Sequence, residues 1–149
     1  MNDWKKTVWP EVAGARASGG LLALRLYAGA ALMSHGWGKI QNPMHWMDRS
    51  PGAPPGVFQA LAAVSEFFGG LGLIVGLLTP LAAFGIACTM AVAVFKHVSK
   101  GDPFVAHGGG SFEPALGYLV TAALLMLAGP GCQWPRRTDP LWPTLRGSR

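Results

Sequence analysis

From Val57 to Leu78 the chain reads VFQALAAVSEFFGGLGLIVGLL, 22 residues of apolar character that carry one charge, Glu66, near their middle. A helix rises about 1.5 Å per residue, so a run of this length matches the ~30 Å hydrocarbon layer of a bilayer. An ionised group at the centre of a span costs roughly 2.5 to 3.5 kcal/mol on insertion scales, and such groups usually face a protein interior and find a partner. Glu66 is therefore expected to point inward, and the partner must come from another span.

Composition agrees with a membrane setting. Half of the residues are hydrophobic and 13% are charged, against roughly 25% charged in ordinary soluble proteins. Apolar runs cover residues 21–40, 57–78, 81–98 and 114–129, the last starting near Ser111 or Phe112. This predicts an all-α membrane protein with four spans, about 21–40, 57–78, 81–98 and 112–129, in a single domain of residues 1–149. The net charge of +5 is explained by basic residues at span ends, so no nucleic-acid partner is expected. Residues before Leu21 offer no small-residue cleavage site behind an apolar core, so the first span is expected to stay. Trp4 and Trp9, with Lys5 and Lys6, suit a short helix in the headgroup layer.

One helix from Val57 to Val98 would be about 63 Å long, twice the membrane. The chain must turn back, and Thr79-Pro80 predicts the start of the third helix, with Thr at the N-cap and Pro at the first position. Residues 41–56, with Pro43, Pro51, Pro54 and Pro55, and residues 99–110, with Pro103 and three successive glycines, read as loops. Ser111 is expected to cap the fourth helix, with Glu113 in its first turn. Four spans put Lys5, Lys6, Arg16, Arg136, Arg137, Arg146 and Arg149 on one side, and Lys39, Arg49, Lys96 and Lys100 on the other. The bias places both termini in the cytoplasm.

On the first helix Arg25, Gly29, Gly36 and Lys39 share one stripe, with His35 beside it. Glycines there allow a neighbouring helix to approach closely. If Ile40 and Val57 lie level at the outer surface, Glu66 is about 14 Å deep, His35 about 8 Å and Arg25 about 22 Å. That predicts an Arg25–Glu66 pair. Lys39, Lys96, His97 and Glu113 would form a shallower polar layer. Each has a plain alternative: Glu113 suits a helix dipole, Lys39 and Lys96 can snorkel, and His97 and His107 can be ordinary interface residues. The Arg25–Glu66 pair itself could be structural, although apolar residues there would be simpler and often as stable. No spacing puts two ligands on one helix face, so no metal is expected. Cys88 and Cys132 form no CxxC and suggest no dithiol relay.

The segments RLYAGAALMSHGWGKI, SEFFGGLGLIVGLLTP and FKHV, with the later EPALGY, resemble the DoxX family of small bacterial membrane proteins, over about Leu24 to Gly131. The resemblance implies a four-helix transmembrane bundle in the bacterial inner membrane, related to the DoxD subunit of thiosulfate:quinone oxidoreductase. It carries over Arg25, Gly29, His35, Gly36, Lys39, Glu66, Gly69, Gly70, Gly76, Thr79 and Glu113, without a transferable catalytic role. The expected function is a small subunit of a quinone- or thiol-linked redox system. Glu66, His35 and Arg25 would act on protons, and with Lys39 and Glu113 would hold a quinone head group in contact with lipid and a membrane or periplasmic redox partner. The alternative is a non-catalytic anchor or assembly module; transport of a small solute or lipid is a third reading, and a homo-oligomer stays open.

Overall fold

Helix α1 (Ala15–Ile40) leads through a proline-rich loop into α2 (Gly56–Val75), which turns directly into α3 (Thr79–Ser99); a second loop leads to α4 (Glu113–Ala128). The computed structural model describes residues 15–50, 52–106 and 108–129. The expected N-terminal surface helix, His107, Cys132 and the basic tail lie outside the described residues.

Local chemistry sets the helix ends. Proline cannot continue a helix but is tolerated at its start, and α2 begins directly behind Pro54 and Pro55. It ends at Gly76, whose φ of 75° is left-handed, and the N–H groups of Gly76 and Leu77 both return to the Gly72 carbonyl. The reversal therefore takes place at residues 76–78, earlier than the Thr79-Pro80 position expected from sequence. Leu78, also left-handed at φ 49°, occupies the N-cap of α3, and Thr79 lies inside the helix with no side-chain cap bond. Ser111 is likewise not the cap of α4; Phe112 takes that position. The orphan N–H groups at this helix start are met by the loop backbone, Phe112 donating to Pro103 O and Glu113 to Phe104 O.

Helices α1 and α2 run antiparallel in close contact. A methyl group built on Gly29 would lie 2.6 Å from the Gly70 carbonyl oxygen, one on Gly70 would lie 2.7 Å from the Gly29 oxygen, and one on Gly36 would lie 2.7 Å from Phe67 N. The glycine stripe of α1 is thus spent on α2. Helices α2 and α3 form a tight hairpin: Gly69 lies against Ile86, and the Ser65 and Thr89 hydroxyls bond to each other at 2.5 Å. Ala28 and Leu32, Leu73, Ala83, Ile86 and Met90, and Ala122 and Leu125 bring all four helices into one core.

Polarity is distributed in the reverse of a soluble protein. Arg25, Gln59, Glu66 and Thr79 are buried, whereas Tyr27, Phe95 and Leu127 are more than 70% exposed and Phe58, Leu61, Leu81 and Phe84 more than half. Water would penalise that outer surface and lipid would not. Helices α2 and α3 are long and apolar enough to cross a membrane, and α4 is a shorter apolar helix. Within lipid, helices associate through close packing and polar contacts rather than apolar burial, which is what the glycine crossing provides.

Gly29→Ala forces the Gly70 carbonyl away and should lower stability by about 1–3 kcal/mol, read as thermal unfolding in detergent. Gly85→Ala is the contrast: its new methyl meets Ser65 Cβ at an ordinary 3.5 Å and should leave the unfolding temperature nearly unchanged.

Candidate functional site

Glu66 is 3% exposed, and both of its carboxylate oxygens lie 2.6 Å from Lys39 Nζ. The close crossing of α1 and α2 brings these groups together, because the contacts at Gly29–Gly70 and Gly36–Phe67 set a register in which the last turn of α1 stands level with Glu66. Lys39 also lies over the Trp46 ring, 4.6 Å from its centroid, so an aromatic face and two anionic oxygens hold one ammonium.

The expected Arg25–Glu66 pairing is not formed. Arg25 is buried, but its guanidinium lies beside Gly76, ten residues and about 15 Å along α2 from Glu66. The depth comparison set Ile40 level with Val57, whereas α2 extends about two turns beyond the end of α1 and the loop folds against that extension. Gln59 anchors it. Its Oε1 accepts from Met47 N at 2.9 Å, its Nε2 donates to Asp48 Oδ1 and to Pro54 O, both at 2.9 Å, and its carbonyl accepts from Trp46 Nε1 at 3.0 Å. Gln59 was missed in the sequence reading. The available signal was its place two turns before Glu66 on the same helix face.

Two cavities meet at the Lys39–Glu66 pair. The larger, of about 620 Å³, lies between the diverging halves of α2 and α3 under the Trp46 loop; its lining includes Phe58, Leu61, Glu66, Val92, Lys96 and His97. Leu61 and Val92 are also about 60% exposed, so the cavity opens sideways on the apolar surface. The smaller, of about 230 Å³, is lined by His35, Lys39, Glu66, His97, Ser111 and Tyr118, among others.

Of the expected site residues, Glu66, Lys39 and His35 thus border one cavity, His35 being exposed and in edge contact with Tyr118 at 5.9 Å. Arg25 and Glu113 line neither cavity, and Glu113 is exposed in the first turn of α4. The expected shallow layer resolves into separate contacts. Lys96 donates to Gly52 O at 3.2 Å, and His97 Nδ1 is 2.6 Å from Asp102 Oδ2. Among the described residues no three potential ligands cluster around a metal position.

The model of the DoxX family matches residues 20–99. The chain belongs to the DoxX family. Neither a curated protein nor a solved structure matches it significantly. The DoxX match runs from α1 through α3 and contains Arg25, His35, Lys39, Glu66 and His97, whereas α4 and Glu113 lie beyond it. Together with two span-length apolar helices and the exposed apolar faces, it makes this DoxX chain a helical membrane protein.

Lys39→Met strands a buried carboxylate and should cost about 3 kcal/mol in thermal or denaturant unfolding, with Lys39→Met/Glu66→Leu recovering most of the loss. The loop anchor predicts an acid response. Asp48 is held below its usual 3.8 by donation from the Gln59 amide, then by the His45 bond and charge. A carboxyl lowered in the folded state stabilises above its unfolded value, and that contribution disappears as pH falls through the lowered value. Protection of the Met47 amide from hydrogen exchange should therefore hold above 3.8 and fall at more acidic pH, and Gln59→Leu should remove it throughout.

Proposed function

We propose that this DoxX protein is a multi-pass subunit of the bacterial inner membrane that serves a quinone- or thiol-linked redox system, with its larger cavity holding a quinone head group beside Lys39 and Glu66. The four helices act as four spans with both termini cytoplasmic. The charge bias supports that orientation more strongly once Lys39 is taken up by Glu66, leaving Arg49, Lys96 and Lys100 on the outer side.

One observation carries the reading: an apolar cavity, open to the lipid-facing surface, that ends on a buried ion pair. Its volume lies within the roughly 300–1,000 Å³ usual for small-molecule sites. A lipid-soluble ring with polar oxygens fits such a site, entering along Leu61 and Val92 and meeting charge at the inner wall. The quinone, when bound, supplies the redox chemistry. The residues orient it and exclude water: Glu66 fixes Lys39, Trp46 and Gln59 roof the space, and His35 and Tyr118 border the adjoining cavity. A redox partner protein would deliver the electrons.

A second reading, a non-catalytic anchor or assembly module, draws on the same pair. Lys39 is already met by Glu66 and Trp46, as a purely structural ammonium would be. Purification in mild detergent separates the two, because the redox reading requires quinone to travel with the protein. Glu66→Gln, present in the membrane at wild-type level, should lose bound quinone and quinone-linked activity by at least tenfold. Unchanged activity in that variant would count against the site.

A further inference from the structure

The quinone reading leaves open which group meets the carbonyl oxygen, and this inference rests on that reading. Two N–H bonds of the Lys39 ammonium go to Glu66 and its flank lies on Trp46. Lys96 is turned to the Gly52 carbonyl at the exposed loop. Like Lys39, His97 borders both cavities, but its bond to Asp102 engages only one of its two ring nitrogens.

Its placement follows from how α3 ends. Gly101 adopts a left-handed φ of 76°, the Gly101 N–H returns to Val98 O, and the Asp102 N–H returns to His97 O at 3.0 Å. This double return is a Schellman turn, and it folds residue 102 back onto residue 97. The Asp102 carboxylate then lies 2.6 Å from His97 Nδ1, with both side chains about one third exposed or less. A carboxylate only accepts, so Nδ1 carries the proton and the exchangeable position is Nε2. Gly110 closes the arrangement from outside: a methyl there would lie 3.0 Å from Asp102 Oδ2 and 3.5 Å from His97 Nδ1.

We propose that His97 is the residue that donates a hydrogen bond to the bound quinone, through Nε2, and that Asp102 is its positioning residue. In the imidazolium form Nε2 is a charge-assisted donor; in the neutral form held by Asp102 it is an acceptor and repels a carbonyl oxygen. Occupancy by quinone is thereby coupled to protonation of His97. The other ionisable groups facing this space are Lys39, Glu66, His35, Tyr118, Cys88, Lys96 and Lys100, and the test must distinguish His97 from them.

Binding of a short-chain ubiquinone to the full chain in lipid nanodiscs, followed by tryptophan quenching from pH 5 to 8, provides that test. Wild type should bind about tenfold more weakly at the alkaline end, the loss expected for one charge-assisted bond. His97→Gln should bind with no pH dependence, and Asp102→Asn should displace the midpoint. Nitrogen-15 spectra of histidine-labelled protein should show the neutral His97 ring protonated at Nδ1. Thermal unfolding checks that each variant is folded. A pH profile that persists in folded His97→Gln, or a neutral ring protonated at Nε2, overturns the assignment while the quinone site stands. Absence of quinone binding by wild type at every pH overturns the site itself.

Discussion

The backbone approach of α1 to α2 is the constraint on which the polar interior depends. With Gly29 and Gly70 in mutual contact and Gly36 on Phe67, no side chain separates the helices, and the ends of α1 and α2 are displaced along each other by about two turns. That displacement, rather than any attraction between charges at a distance, decides which cation reaches Glu66. Lys39 meets it and Arg25 is carried to the far end of α2, beside Gly76. Burying an ion costs several kcal/mol even after relaxation, and only good geometry recovers it. Two oxygens at 2.6 Å from one nitrogen, with an aromatic ring over the ammonium, provide such geometry.

Much of the architecture was legible in the sequence for simple physical reasons. Apolar runs of span length, broken by proline and glycine, located the four helices to within a few residues except for the extra turn and a half at the start of α1. The inward aspect of Glu66 followed from the cost of exposing it to lipid. Its partner did not follow, because the register between two antiparallel helices is set by contacts and by the path of the intervening loop. That loop is held by Gln59, a neutral side chain that a search restricted to charges passes over. The caps at Thr79 and Ser111 were misplaced for a related reason. Both residue types favour an N-cap, but the chain uses the left-handed Leu78 and loop carbonyls to the same end.

His97 and Asp102 show a different limit. Five positions apart across a helix end, they have no fixed relation in sequence, and only the left-handed glycine between them brings one onto the other. The reading that treated His97 as an ordinary residue of the helix end lacked that turn. By contrast the α2–α3 hairpin could be anticipated in outline, since a 42-residue helix cannot fit the bilayer.

The hairpin turn has one more consequence. Leu77, Leu78 and Leu81 are each more than 60% exposed around it, and no charged residue occurs between Glu66 and Lys96. A left-handed leucine costs about 1–2 kcal/mol that glycine would avoid, so a greasy side chain is kept where a polar loop would be easy to build. The bend therefore presents leucine side chains and no charge on its outer surface.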